Sequence, residues 1–120
     1  MPRVIHFDIA VDQPERAIQF YSEVFGWEIQ KWEGPMDYWL VHTGDGPGID
    51  GGLGMRTNPT QATTNTIGVP SVDEYMDKIE KSGGKIVMLK TPIPGVGWFA
   101  SCQDTEGNIF GIIEEDASAR

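Results

Sequence analysis

The sequence predicts an α+β fold made of two βαβββ modules that pair into a cup-shaped half-barrel. Three observations predict it. An order of strand, helix and three strands occurs twice; the two copies, residues 1–58 and 62–116, are of about equal length; and short runs rich in β-branched and aromatic residues alternate with Gly and Pro turn signals. Neither copy alone can bury both faces of its sheet, so we expect one domain over residues 1–120.

The first module begins with the run "VIHFDIAV", whose alternation is typical of a strand. The segment "DQPERAIQFYSEVFG" follows with apolar residues at helical spacing. Asp12 is the predicted N-cap, Glu15 its capping-box partner, and Gly26 the predicted helix end. Three strands are then predicted in "WEIQKW", "YWLVHT" and "GGLGMR".

The second module repeats this order. The run "TNTIGV" predicts a strand and "SVDEYMDKIEKSGG" a helix, with Ser71 and Glu74 as a capping box and Gly83 and Gly84 at its end. Three further strands are predicted in "KIVMLK", "GWFASCQ" and "NIFGIIEE".

Composition excludes several classes of function. The 18 acidic residues outnumber the 9 basic ones, the net charge is -9, and no cluster of Lys or Arg suits phosphate, so we expect no nucleic-acid partner. The single cysteine, Cys102, cannot form an internal disulfide and is expected to be a buried structural thiol. No signal-peptide pattern or membrane-spanning apolar run is seen, so we expect no membrane association and a cytoplasmic protein.

Three segments carry a family resemblance. The stretches "HFDIAVDQPERAIQFYSEVFGWEI", "GGK" and "DTEGNIFGIIEE" resemble the vicinal oxygen chelate superfamily, which has the glyoxalase/bleomycin resistance/dihydroxybiphenyl dioxygenase fold. Within it, "IPGVGWFA" and "DTEGN" are similar to segments of short bacterial proteins related to lactoylglutathione lyase. The resemblance implies a small-molecule ligand or substrate and a homodimer.

The resemblance also locates metal-ligand positions. In metal-using members, His or Glu side chains from the first and last strands of each half hold a divalent ion that acts as a Lewis acid. In this chain His6 fills the first position, but the others fall at Gly52, Thr64 and Gly111, which offer no carboxylate or imidazole. Because catalytic zinc sites usually have three protein ligands, no metal cofactor is expected; zinc, nickel or iron on His6 is the alternative.

Gly111 interrupts a run of residues that favour strands, and it has two interpretations. In one, its missing side chain leaves room for part of a bound molecule. In the other, it marks a bulge or a close approach of neighbouring atoms.

His6 and Asp8 are the candidate catalytic residues. Alternation along the first strand places Ile5, Phe7 and Ile9 toward the helix and places His6 and Asp8 together on the opposite face. A carboxylate beside an imidazole can orient it for use as a general base. The alternative is a hydrogen-bonded structural histidine.

Five residues are candidates for substrate binding. The tryptophans offer flat aromatic faces, the histidine and threonine offer polar groups, and the glycine leaves room for a ligand: Trp98, Trp39, His42, Thr64 and Gly111. For the tryptophans the alternative is core packing or a dimer interface, and for His42 it is an exposed strand position without a role.

These residues and the family resemblance leave three candidate functions. The first is a glyoxalase-like lyase or isomerase acting on a small oxygenated metabolite, with His6 and Asp8 in proton transfer. The second is a metal-free binding protein of the bleomycin-resistance type, which sequesters a small molecule. The third is an extradiol-type dioxygenase, which needs two His and one carboxylate on iron, more ligands than the family positions supply here.

Overall fold

A computed structural model of the protein describes residues 2–120. Its elements confirm the predicted α+β class, because strand, helix and three strands occur twice in succession. They are β1 (Arg3–Val11), α1 (Pro14–Phe25), β2 (Glu28–Lys31), β3 (Tyr38–His42), β4 (Gly51–Met55), β5 (Thr64–Gly68), α2 (Val72–Lys81), β6 (Lys85–Ile93), β7 (Gly97–Gln103) and β8 (Ile109–Glu115).

The chain divides into two compact units. We call residues 6–64 the N-terminal unit, and residues 2–5 together with 65–120 the C-terminal unit. Neither α1 nor α2, nor any other helix in residues 2–120, has the length and apolar character needed to cross a bilayer.

In the N-terminal unit the strands lie in the order β2, β3, β4, β1. Neighbours are antiparallel except β1 and β4, which are parallel with Asp8 opposite Gly52. Val11, Val41 and Leu53 form the buried centre, and helix α1 covers it with Ala17. Further partly buried members of this core are Phe7, Ile9, Ile18, Trp27, Ile29 and Trp39.

Helix α1 begins differently from the prediction. Its N-cap is Gln13, which makes no side-chain capping bond, so the prediction of Asp12 as N-cap was wrong. The Asp12 carboxylate instead accepts a hydrogen bond of 3.0 Å from the Nε of Arg56, the residue that follows β4, and this contact competes with capping. The predicted helix end is confirmed: Gly26 has a φ of 72° and donates its N–H to the carbonyl of Ser22.

In the C-terminal unit the strands lie in the order β5, β8, β7, β6. Its buried core consists of Val69, Val72, Ala100, Cys102 and Ile112. Burial raises the pKa of the Cys102 thiol, and the side chain is fully buried, as predicted for a structural cysteine.

Helix α2 begins as predicted. The Ser71 hydroxyl accepts a hydrogen bond of 3.1 Å from the N–H of Glu74, which confirms Ser71 as the cap of α2.

Strand β6 is longer than predicted. It continues past the predicted end at Lys90 to Ile93 and includes Pro92. Because β6 pairs with β7 on one side and lies at the end of the strand order, a residue without an N–H is tolerated there.

Candidate functional site

His6 and Asp8 lie on the face of β1 that is turned away from α1, as alternation predicted. Phe7 and Ile9, between and beyond them, pack into the core under the helix. The His6 Nε2 atom is 3.2 Å from the Asp8 Oδ1 atom, and each side chain is 33% exposed. The imidazole and the carboxylate therefore form one partly solvated pair.

A third residue, Tyr38 at the start of β3, completes this cluster. Its hydroxyl oxygen is 2.8 Å from the His6 Nε2 atom, and the hydroxyl donates a short hydrogen bond to the Asp8 Oδ1 atom. We call His6, Asp8 and Tyr38 the polar triad. All three side chains belong to the N-terminal unit.

Glycine on the intervening strand allows Tyr38 to reach the pair. Strand β4 lies between β3 and β1, and a Cβ atom added to Gly52 would overlap the Tyr38 hydroxyl oxygen. Any side chain at this position would therefore displace the phenol. The ring of Trp32 packs edge-on against the Tyr38 ring, with centroids 5.9 Å apart, and helps to hold it.

The electrostatics of the triad keep the phenol neutral. Burial raises the pKa of Tyr38 well above its usual range, and the negative charge of Asp8 and the hydrogen bond to it raise this pKa further. A neutral phenol has one proton, which it donates to the carboxylate, and retains lone pairs to accept another hydrogen bond.

The residues around His6 do not fit a divalent ion. The Nε2 atom of His6 contacts the phenol and the carboxylate, and the ligand position at Gly52 is filled by the phenol. Within residues 2–120 no group of three or more His, Cys, Asp or Glu side chains is arranged to hold a metal ion.

The space beside Gly111 in the C-terminal unit is also filled. A Cβ atom added there would lie 2.5 Å from the Cε1 atom of Phe99 and 3.0 Å from the Oγ1 atom of Thr66. Of the two interpretations of this glycine, the close approach of neighbouring atoms is the one observed. The expected room for a bound molecule is occupied by the Phe99 ring.

The other predicted binding residues lie apart from the triad. Trp39 packs into the core under α1, on the face opposite to that of Tyr38. Trp98 packs against the core of the C-terminal unit, and its Nε1 atom donates a hydrogen bond of 3.1 Å to Asp116. Thr64, the first residue of β5, is half-buried. These placements agree with core packing for the two tryptophans.

His42, at the end of β3, contacts two carboxylates of the following loop. Its Nδ1 atom is 3.0 Å from Asp50 and its Nε2 atom is 3.4 Å from Asp45. The hydrogen bond and charge of Asp50, followed by those of Asp45, raise the pKa of His42, and the side chain is exposed. His42 therefore ties down a loop and does not join His6.

Sequence reasoning missed Tyr38 and Phe99. The available signal was the pair of glycines inside strands, Gly52 and Gly111, because a missing side chain in a packed sheet must be compensated by a large neighbour. Which neighbour it would be depends on strand register, which no local pattern in the sequence provides.

Comparisons with known proteins agree with this architecture. A family model described as the Glyoxalase/Bleomycin resistance protein/Dioxygenase superfamily matches residues 3–112. A hypothetical protein from Bacillus halodurans is similar in structure, with a TM-score of 0.76, 14% identity and coverage of 99% of this chain and 98% of that one. No curated protein matches the sequence.

Two methylmalonyl-CoA epimerases are also similar in structure. The enzyme from Mycobacterium tuberculosis has a TM-score of 0.74 and 14% identity, with coverage of 94% of this chain and 87% of that one. A single-substitution variant of the enzyme from Streptomyces coelicolor, in complex with 2-nitronate-propionyl-CoA, has a TM-score of 0.71 and 17% identity, with coverage of 98% and 97%. At these identities the similarity establishes the fold alone.

Proposed function

Because the chain belongs to the glyoxalase/bleomycin resistance protein/dioxygenase superfamily, we propose that it is a glyoxalase-like enzyme that moves a proton on a small oxygenated metabolite without a metal ion. The observation that supports this proposal is the polar triad, in which a partly exposed imidazole is hydrogen-bonded to a carboxylate and a phenol. A histidine so oriented has the form of a general base.

The reaction class follows from what these groups can do. In a metal-using site the ion stabilises the charge that forms on a carbonyl oxygen when a neighbouring carbon loses its proton. Here the proton would pass to His6, and the resulting imidazolium would be stabilised by Asp8 at 3.2 Å. Methylmalonyl-CoA epimerases among the similar structures make acyl thioesters with an acidic C–H bond a reasonable substrate class to test beside hemithioacetals.

The test measures exchange of a substrate proton with heavy water by NMR. Untagged, chelator-treated protein is incubated with the glutathione hemithioacetal of methylglyoxal and, separately, with methylmalonyl-CoA. We expect exchange of a carbon-bound proton that survives chelator treatment and falls by about 10²- to 10⁴-fold in His6→Ala. The matched control is Tyr75→Phe, which alters a tyrosine of α2 in the C-terminal unit.

Two results would contradict the proposal. One is the absence of exchange with every substrate of these two classes. The other is a stoichiometric amount of nickel, zinc or iron in the purified protein that disappears in His6→Ala, because a metal held by His6 would replace the triad as the source of activity.

A metal-free binding protein of the bleomycin-resistance type is the second candidate. It is favoured by the partly exposed ring of Trp32, which packs edge to face against the Tyr38 ring of the triad and offers apolar surface to a flat ligand. Quenching of tryptophan fluorescence by a ligand that is recovered chemically unchanged would support this function. Release of an altered product would exclude it.

A further inference from the structure

We infer that Tyr38 and Asp8 keep the Nε2 atom of His6 protonated, so that the Nδ1 atom is the one that accepts a proton. The first half of this inference concerns the resting protein and stands on geometry. The second half rests on the proposed function, since it names the atom that would act on a substrate.

Proton counting within the triad fixes the state of Nε2. The Asp8 carboxylate can only accept hydrogen bonds, so the short contact between its Oδ1 atom and the Tyr38 hydroxyl requires the phenol to donate. That hydrogen bond uses the only proton of the phenol. The 2.8 Å contact between Nε2 and the phenol oxygen therefore requires Nε2 to be the donor.

A second contact leads to the same assignment. Nε2 also lies 3.2 Å from the Asp8 Oδ1 atom, which is a lone-pair acceptor. If Nε2 were unprotonated, its own lone pair would face this oxygen. A proton on Nε2 instead allows a hydrogen bond shared between the phenol and the carboxylate.

The Nδ1 atom is then the basic atom of neutral His6. It has no hydrogen-bond partner within residues 2–120, and no side-chain nitrogen or oxygen of a non-exposed residue in this range is both buried and unpartnered. Nδ1 is therefore accessible to water or to a ligand. The arrangement has the logic of a catalytic triad, in which an acceptor fixes one ring nitrogen and leaves the other free to react.

The proton-transfer step balances with these groups alone. Nδ1 takes a proton from a carbon next to a carbonyl, and the electrons of the broken C–H bond pass to that carbonyl as an enolate. His6 becomes an imidazolium whose charge is stabilised by Asp8. Return of the proton from Nδ1 to the same carbon restores the carbonyl and the neutral ring. When that carbon bears a hydroxyl, return of the proton to the neighbouring carbon gives an isomer instead: the hydroxyl oxygen becomes the new carbonyl, and its proton passes to the enolate oxygen. Tyr38 acts in this step as a positioning residue.

The experiment reads the ring nitrogens of His6 directly by NMR in untagged protein labelled at histidine, without substrate. The variant His42→Gln provides a spectrum in which His6 is the only histidine. For the neutral ring of His6 we expect one tautomer, protonated at Nε2, with a proton that exchanges slowly with water. Tyr38→Phe removes the nearer acceptor and is expected to speed that exchange about tenfold.

The control is Tyr75→Phe, which removes a phenol hydroxyl from α2 and should leave the His6 signals unchanged. A proton on Nδ1, a mixture of tautomers, or equal behaviour of Tyr38→Phe and Tyr75→Phe would overturn the inference. Each of these results is independent of turnover. A protein with the expected tautomer that exchanges no substrate proton would instead contradict the proposed function alone.

Discussion

In the N-terminal unit the ring of Tyr38 lies over Gly52, and in the C-terminal unit the ring of Phe99 lies over Gly111. Both glycines lie in the last strand of their module, and both rings come from the strand before it. The rings differ in one atom. The first carries a hydroxyl that joins His6, whereas the second carries none.

The register of the two pairs is also the same. Leu40 is directly opposite Gly52, and Ser101 is directly opposite Gly111. In each unit the aromatic residue precedes that opposite residue by two positions, so its ring reaches the glycine diagonally across the ladder. Both units therefore pack an aromatic ring over a glycine, but only the ring of the N-terminal unit carries a hydroxyl that contacts a histidine and a carboxylate. Both histidines of the chain belong to the N-terminal unit, which is where reactivity is expected.

Adding a methyl group to each glycine should test the repeated packing and is expected to give the largest change. Gly52→Ala and Gly111→Ala each force an aromatic ring to move, at a cost of roughly 1–3 kcal/mol in the free energy of unfolding. Urea denaturation measures this cost. We expect the NMR signals of His6 to change only in Gly52→Ala, and a Gly52→Ala protein as stable as the wild type would disprove the packing described here.

Exchanging the hydroxyl between the two rings should separate packing from chemistry. Tyr38→Phe removes a donor from Asp8 and an acceptor from His6, so we expect a loss of about 1 kcal/mol in unfolding free energy. Phe99→Tyr places a hydroxyl in a unit without a histidine and is expected to destabilise by a similar amount. Stabilisation of the protein by Phe99→Tyr would show that the C-terminal unit already offers a polar partner there.

The two helices provide a smaller comparison. Helix α2 has a side-chain cap at Ser71, whereas α1 begins at Gln13 without one. Ser71→Ala should lower the unfolding free energy by about 1 kcal/mol. The reciprocal change, Gln13→Ser, should raise it by about 0.5–1 kcal/mol. Equal unfolding midpoints for Gln13→Ser and the wild type would mean that the α1 terminus is already satisfied by other groups.

The smallest expected effect concerns pH at His42. Its pKa lies above the ordinary 6.5, so its contribution to stability is complete below 6.5 and is lost as the pH rises through the raised value. The pKa of Asp50 is lowered, first by the N–H of Thr43 and then by His42, so its contribution is complete above 3.8 and is lost as the pH falls through the lowered value. Both contributions are therefore present between pH 3.8 and 6.5.

An NMR titration of the His42 ring measures this effect. In Asp50→Asn the pKa of His42 should fall toward 6.5, since the hydrogen bond to the Asp50 carboxylate and its negative charge, which raise this pKa, are removed. The hydrogen bonds of His6 to Asp8 and Tyr38 are expected to be unaffected, because neither partner lies in this loop. An unchanged pKa of His42 in Asp50→Asn would show that the ion pair is not formed in solution.

Local patterns in the sequence predicted the fold well. Strand β7 spans the predicted residues 97–103, and Gly26 and Ser71 delimit their helices as expected. These features depend on alternation and capping, which involve residues near one another in the chain. Asp12 was assigned wrongly because its partner, Arg56, lies 44 positions away.

The candidate site was predicted only in part for the same reason. His6 and Asp8 are two residues apart on one strand, so alternation alone brings them together. Tyr38 is 30 residues from Asp8, and its approach depends on the pairing of β3 with β4 and of β4 with β1. The sequence shows the gap at Gly52, whereas the identity of the group that fills it is a property of the assembled sheet.

The fully buried Cys102 gives the chain an internal reporter of transient opening. It is the only thiol of the protein, and it lies in the core of the C-terminal unit. An alkylating reagent in native buffer can react with it only while that core is open, so the labelling rate, compared with that of the unfolded chain, measures how much of the time the core is open. The same measurement on Gly52→Ala would show whether a packing change next to Tyr38 alters the labelling rate of Cys102.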